Sequence, residues 1–177
     1  MFWRRSLAVV ALVGLGAGIG YLYAQDRGGP GKLTAQDRLD IQELYWRYAH
    51  GHDFRDAELV ASAFAEDGVF QVSPTRATVG RKEIFESLSA GFAGRGADSG
   101  RRHWQNAWRI TPTPEGARGR VYWFALEVGT GDPIDGLPVD GHRGPSFRST
   151  GYYEDVYVKT AEGWRFKSRT LNWDEAS

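Results

Sequence analysis

The hydrophobic pattern of the chain changes once, near Gly100, and this change restricts the fold more than any other feature. Before it, apolar residues recur at the spacing of amphipathic helices, and after it come four long stretches with strand character. Short turns at 112–116 and 161–163 suit antiparallel hairpins. Helices followed by long strands predict an α+β domain, with the helices on one face of a strongly curved mixed or antiparallel sheet that forms an open cone.

The predicted elements follow from local signals. Thr34 is predicted to cap the first helix with Asp37 as its capping-box partner, and Gly51 to end that helix. The predicted helices are 34–51, 56–65, with Leu59 buried, and 80–92, with Phe85 facing inward. The predicted strands are 69–72, 103–111, 117–128, 148–159 and 164–173, and residues 129–145 are predicted to form a long loop.

The first 24 residues are predicted to lie outside the folded domain. Arg4 and Arg5 precede an uncharged apolar stretch, 7–24, that ends in a small residue. A cleaved signal peptide and an uncleaved membrane anchor both fit this pattern, so the protein is expected to be exported, as a periplasmic, secreted or membrane-anchored form. Residues 25–32 are a flexible spacer, and 33–174 form one domain.

Composition excludes several classes of function. The chain has 22 basic and 22 acidic residues and no basic run interleaved with aromatics, so no nucleic-acid partner is predicted. It has no cysteine, which excludes disulfides, thiolate catalysis and cysteine metal sites.

A carboxylate and an imidazole occupy the two most informative positions. Asp53 follows the first helix and His103 opens the first long strand. A carboxylate that orients a neutral imidazole can remove a proton at neutral pH, and no serine or cysteine nucleophile motif accompanies the pair. The candidate donors to developing negative charge are Arg169, Tyr45, Tyr48 and Asn106, and Trp123 is a further candidate for substrate binding.

Several motifs resemble those of one family. They are Tyr48–Asp53 with Arg55 and Asp56, the segments 64–70 (FAEDGVF), 80–81 (GR), 102–103 (RH) and 151–155 (GYYED), and 163–166 (GWRF). Together they resemble a SnoaL-like domain of the nuclear transport factor two-like superfamily. The resemblance covers about 33–174 and marks the fold more than the chemistry.

The resemblance implies a cofactor-independent lyase or isomerase. Scytalone dehydratase, hexachlorocyclohexane dehydrochlorinase and the bile-acid dehydratases use an aspartate and a histidine at the positions of Asp53 and His103, and the dehydrochlorinase has an arginine that matches Arg169. A second catalytic histidine of scytalone dehydratase has no counterpart near 122–127. The implied substrate is a small, largely apolar cyclic or aromatic molecule. The alternative is a non-catalytic ligand-binding or assembly module of the same fold.

Each candidate also has a structural interpretation. Asp53 could cap the second helix, His103 could be a core histidine, and Tyr45 and Tyr48 could be core residues. Arg169 shares strand parity with Arg165 and Lys167, which favours a solvent-facing position unless a bulge turns it inward.

Two further hypotheses concern ions and partners. His50, His52 and Asp53 could bind a metal, but mobile histidines at a helix end seldom provide three ligands at fixed angles, so no metal is predicted. Trp104, Trp108 and Tyr153 are expected on the outer sheet face, where such a patch favours a homo-oligomer.

Overall fold

The computed structural model describes residues 31–129 and 143–174. Within these ranges the chain forms three helices and six strands. The helices are α1 Ala35–Asp53, α2 Ala57–Ser62 and α3 Arg81–Phe92. The strands are β1 Phe64–Ser73, β2 Arg76–Val79, β3 Arg101–Thr113, β4 Gly116–Glu127, β5 Ser146–Thr160 and β6 Gly163–Trp173.

The predicted elements are present, with two differences. Strand β1 begins at Phe64, so it includes the residues predicted to end the second helix. Strand β2 was not predicted, and it forms because it pairs antiparallel with β1. The segment 1–24, most of the spacer and most of the loop 129–145 lie outside the described residues. Among the helices that are described, none combines the length and apolarity needed to cross a membrane.

Helix α1 is fixed at its start by a capping box. The Thr34 hydroxyl accepts a hydrogen bond from the Asp37 N–H, and the Asp37 carboxylate accepts one from the Thr34 N–H, each 3.0 Å long. Asp37 also accepts hydrogen bonds from Lys159 at 2.7 Å and from the Trp164 indole at 2.8 Å. Burial opposes the charge, but these hydrogen bonds hold the pKa of Asp37 well below its usual range. The start of α1 is therefore attached to β5 and β6.

Gly51 was predicted to end α1, but the helix continues to Asp53. The glycine is needed for close packing instead, since a Cβ there would lie 2.4 Å from Cγ2 of Val60 and 2.9 Å from the carbonyl oxygen of Asp56. The contact brings α2 against the end of α1.

The sheet is mixed, with strand order β2-β1-β6-β5-β4-β3. Strand β1 runs parallel to β6, and the other neighbouring pairs are antiparallel. The helices cover one face, and side chains from both layers form the core there, including Ile41, Leu44, Val60, Phe64 and Phe166. The predicted α+β class is confirmed.

A bulge in β3 changes which residues face the helices. The pairing with β4 shifts between Asn106 and Arg109, and Ala107 has a φ of 52°. Trp108 was predicted on the outer face, but the bulge turns it inward, where its ring packs edge-on against Tyr45 at a centroid distance of 4.2 Å.

A second bulge in β6 turns Arg169 inward. Phe166 pairs with Tyr157 and Ser168 pairs with Val156, which leaves Lys167 as the extra residue. Parity with Lys167 favoured a solvent-facing arginine, but Arg169 is fully buried.

Three other predicted orientations need correction. Tyr153 was expected on the outer face but is buried, because its side chain faces helix α1 and packs against Tyr48. Phe85 was expected inward but is 41% exposed, and Leu59 is only half-buried. Trp104 is exposed as expected and stacks on Phe124. Oligomerisation through this face stays a prediction.

Candidate functional site

Asp53 and His103 are in direct contact at the end of α1. The Asp53 Oδ1 atom lies 2.6 Å from His103 Nδ1, and Oδ2 accepts the backbone N–H of His103 at 3.1 Å. Asp53 does not cap α2, because the N-cap of that helix is Asp56, whose carboxylate accepts the Leu59 N–H at 2.9 Å. The carboxylate thus holds both the ring and the backbone of His103.

This contact determines which ring nitrogen is free. With Asp53 ionised, Nδ1 carries the proton that is donated to the carboxylate, and Nε2 keeps its lone pair. Among the described residues none forms a hydrogen bond with Nε2. The side chain of His103 is 14% exposed and that of Asp53 is 7% exposed. The arrangement can accept a proton at Nε2 while the carboxylate stabilises the resulting imidazolium.

His52 lies beside this pair as a second imidazole. Its ring centroid is 6.0 Å from that of His103 and 4.5 Å from that of Tyr48. Burial, followed by the effects of His103, Arg169 and Arg101, lowers the pKa of His52 to about 3. His52 is therefore neutral at physiological pH.

The metal hypothesis for the end of α1 gains no support from the geometry. His50 is exposed and stacks on Phe54, whereas His52 is directed into the core. The described residues contain no group of three or more histidine, cysteine, aspartate or glutamate side chains that could hold a metal ion.

Arg169 forms a buried ion pair at the centre of the core. Its Nε and Nη2 atoms donate to the two oxygens of Asp155 at 3.0 Å and 2.8 Å. The guanidinium also lies 4.3 Å from the ring centroids of Tyr45 and Tyr48 and 4.0 Å from that of Tyr153. Burial opposes the charge, but Asp155 outweighs it and raises the pKa of Arg169. Arg169 is a permanently charged residue enclosed by aromatic rings.

The two tyrosines of α1 have different surroundings. The Tyr45 hydroxyl donates to Asp155 and lies 2.5 Å from the Tyr157 hydroxyl, so it is already engaged within the core. Burial and the Asp155 charge raise the pKa of Tyr45. Burial also raises the pKa of Tyr48 to about 12, so its hydroxyl stays protonated. Tyr48 contacts His52 and Arg169 and therefore links the core to the Asp53–His103 pair.

The two remaining candidates lie on opposite faces of the sheet. Trp123 is 3% exposed on the inner face, where it stacks on Tyr153 at 5.8 Å. Asn106 is exposed on the outer face, because it is three residues from His103 in an alternating strand and precedes the bulge. This position does not support its predicted role as a donor beside His103, which stays a prediction. Gln105 faces inward in its place, and its even spacing from His103 was the signal that could have identified it.

Several polar atoms in this region lack a hydrogen-bond partner among the described residues. They are buried side-chain nitrogens, namely His52 Nε2 on α1 and Trp123 Nε1 and Arg169 Nη1 on the sheet. The Gln105 side chain, by contrast, has Tyr153 as a hydrogen-bond partner. Buried donors are normally paired, because an unpaired one costs about 1–3 kcal/mol. The site therefore contains more donors than the described residues satisfy.

The comparison with protein families identifies the fold and the lineage. The model of the SnoaL-like domain matches residues 33–170. The chain belongs to the SnoaL-like domain family. This family includes polyketide cyclases, isomerases and dehydratases. The comparison with curated proteins gives no match.

Solved structures from several bacteria share the fold of this SnoaL-like protein. A nuclear transport factor two-like protein with a cystatin-like fold from Novosphingobium aromaticivorans is 20% identical, with a TM-score of 0.61 and coverage of 94% of this chain and 92% of that one. ActVI-ORFA from Streptomyces coelicolor is 24% identical, with a TM-score of 0.59 and coverage of 77% and 96%. A Catenulispora acidiphila protein, solved in complex with S-DNPA, is 23% identical, with a TM-score of 0.61 and coverage of 80% and 96%. These similarities establish the cone-shaped fold.

Proposed function

We propose that this SnoaL-like protein is a cofactor-independent lyase or isomerase in which His103 removes a proton from a small cyclic or aromatic substrate. The observation that carries the proposal is the 2.6 Å contact between Asp53 Oδ1 and His103 Nδ1, which leaves Nε2 free. The partial exposure of the His103 side chain, 14%, supports access by a substrate.

Asp53 has two tasks in this mechanism. It keeps the proton on Nδ1, so that Nε2 is the basic atom, and it stabilises the imidazolium after proton transfer. Its second contact, to the His103 backbone N–H, fixes the start of β3 and hence the position of the ring. General-base assistance of this kind accelerates a reaction by about 10²–10⁴-fold.

The surroundings of the pair favour a largely apolar substrate. The rings of Tyr48, Phe70 and Phe92 lie within 6.3 Å of His52, next to His103. Arg169 was a candidate catalytic residue, but its full burial and its ion pair with Asp155 make it a positioning residue in this proposal. It holds Tyr48 and Tyr153 at the wall of the site.

Hydrogen–deuterium exchange tests proton abstraction without knowledge of the leaving group. Small cyclic ketones and aromatic compounds with a leaving group beta to an acidic C–H are incubated with the protein in D₂O, and deuterium incorporation and turnover are followed by NMR. We expect His103→Ala to slow exchange by about 10²–10⁴-fold and Asp53→Asn to be nearly as harmful.

His50→Ala is the matched control, since His50 is an exposed histidine on the same helix. It should exchange at the parental rate. Ligand binding in the parent with no exchange in any compound would favour the non-catalytic binding module. Exchange at the parental rate in His103→Ala would disprove the role of His103.

A further inference from the structure

We propose that the outer face of the sheet carries a second ligand site, at which Arg109 and Arg118 bind the phosphate group of a small, hydroxyl-bearing phosphate monoester. This face is turned away from the helices, and the site shares no side chain with the Asp53–His103 pair. The inference therefore goes beyond the proposed function and does not depend on it.

The site is a cavity of about 550 Å³ that crosses the four neighbouring strands β3 to β6. The strand pairing places its side chains in two rows across the sheet. They are Thr111, Arg118, Val156 and Ser168 in one row, and Arg109, Arg120, Glu154 and Thr170 in the next. Four strands at a spacing of about 4.8 Å span about 14 Å, which accommodates a phosphate joined to a six-membered ring.

The bulge in β3 brings Arg109 to this face. In an unbroken strand the odd-numbered positions would all face the helices, including position 109. The shift in pairing between Asn106 and Arg109 turns Trp108 inward and leaves Arg109 exposed, directly opposite Arg120. Arg118 lies two residues from Arg120 and on the same face. Three guanidinium groups are therefore neighbours on one part of the cavity wall.

Two of these arginines have no acidic partner in the described part of the chain. Arg120 donates to Glu154 and lies over the ring of Tyr152. Within residues 31–129 and 143–174, neither Arg109 nor Arg118 forms an ion pair or a side-chain hydrogen bond. Like charges at directly opposite strand positions destabilise a sheet. A dianion that contacts both free arginines removes this repulsion.

The other acids near the cavity do not neutralise the arginines. Asp155 contributes to the cavity wall, but its carboxylate lies on the inner face, where it binds Arg169. Glu115 lines a neighbouring cavity that also includes Arg118, but it forms no ion pair with that arginine. The excess positive charge is thus available to a ligand.

Hydroxyl side chains flank the arginines. Thr111 is the direct partner of Arg118, and Ser168 and Thr170 line the far side of the cavity, beyond Val156. None of the three hydroxyls forms a hydrogen bond with another described residue. A hydroxyl both donates and accepts, so this wall suits an organic group that itself carries hydroxyls.

The arginine pair favours a phosphate over a carboxylate. A guanidinium presents its donors as a planar fork, and one fork occupies both oxygens of a carboxylate. A phosphate monoester has three terminal oxygens and up to two negative charges, so it can accept hydrogen bonds from Arg109 and Arg118 together. Its organic part then extends over Val156 towards Ser168.

Calorimetry with glucose 6-phosphate, glucose and inorganic phosphate at low ionic strength tests the proposal. The parent should bind glucose 6-phosphate at least about tenfold more tightly than glucose, because one charged hydrogen bond supplies that factor or more. It should also bind glucose 6-phosphate more tightly than inorganic phosphate, because only the ester reaches the hydroxyl wall. No binding of glucose 6-phosphate, or equal affinity for it and for either of the other two compounds, would overturn the proposal.

Two variants and one control locate the phosphate. Arg109→Gln and Arg118→Gln should each weaken the binding of glucose 6-phosphate by about 10–100-fold, and the double variant should abolish it. Arg76→Gln, at an exposed arginine of β2, should bind as the parent does. Urea unfolding should show no loss of stability in the two site variants, because each removes repulsion between like charges. Unchanged affinity in the double variant, or an equal loss in Arg76→Gln, would disprove the assignment.

His103→Ala separates this site from the proposed active site. Because the His103 ring lies on the inner face with Asp53, this variant should bind glucose 6-phosphate with the parental affinity while it loses deuterium exchange. Loss of glucose 6-phosphate binding in His103→Ala would place the ligand inside the cone and refute the outer site. Loss of binding in the arginine variants with exchange intact is the expected result.

Discussion

Acid should destabilise this protein through His52, and the size of the effect can be calculated. The pKa of this half-buried histidine, whose Nε2 atom is fully buried, is about 3, compared with 6.5 for an exposed histidine. Between pH 3 and pH 6.5 the His52 imidazole binds a proton in the unfolded chain but stays neutral in the folded protein. The stabilisation is therefore fully present above pH 6.5 and is lost as the pH falls towards 3.

The expected loss is large relative to the stability of a typical domain. Charging His52 costs about 5 kcal/mol more in the folded protein than in the unfolded chain, because one pKa unit is about 1.4 kcal/mol. Between pH 7 and pH 5 the free energy of unfolding should fall by about 2 kcal/mol from this residue alone.

Urea unfolding followed by tryptophan fluorescence at pH 7, 6 and 5 measures this loss. Other groups also titrate in this range, so the relevant quantity is the difference between the parent and His52→Gln, which retains a polar side chain but does not titrate. The variant should lose about 2 kcal/mol less than the parent between pH 7 and pH 5. His50→Gln, at an exposed position of the same helix, should behave as the parent does. If His52→Gln loses as much stability as the parent, His52 is not buried in its neutral form.

Further predictions concern the core and helix α1, and urea unfolding at pH 7 measures each of them. Arg169→Met should lower the free energy of unfolding by about 3–5 kcal/mol, since it leaves Asp155 buried without its partner. The double variant Asp155→Asn with Arg169→Met removes both charges and should lose less, so a smaller loss in the single variant than in the double variant would contradict this. Gly51→Ala should cost about 1–3 kcal/mol, because the new methyl group meets Val60 at 2.4 Å, and a stabilised variant would show that α2 can move away. Thr34→Ala should cost about 1 kcal/mol through loss of the capping box, and an unchanged midpoint would mean that Asp37 alone holds the helix start.

The order of the elements was predictable from the sequence pattern, and the Asp53–His103 contact was predictable from the resemblance to the SnoaL-like family. Apolar periodicity identifies α1 and the four long strands, and these elements bring the end of α1 to the start of β3. Thr34 and Asp37 form the predicted capping box, because capping depends on a local spacing of three residues.

The sequence was insufficient wherever a bulge reverses strand alternation. Ala107 and Lys167 carry no glycine signal, so the inward positions of Trp108 and Arg169 follow only from the pairing with neighbouring strands. Asn106 was chosen by side-chain chemistry although its parity with His103 placed it outside. The role of Gly51 could not be predicted from the sequence either, because it depends on a tertiary contact with α2.

The two hydrogen bonds between the Asp53 carboxylate and His103 affect how homologous sequences should be interpreted. One carboxylate oxygen binds the imidazole, and the other binds a backbone N–H that any residue except proline would supply at that position. A homologue that has lost its histidine would still gain stability from the aspartate, so selection for folding alone could retain it. The aspartate by itself is therefore a weak marker of enzymes in this family. The residue at the start of β3 distinguishes a homologue able to transfer a proton from one that has kept only the hydrogen bond between the aspartate and the backbone.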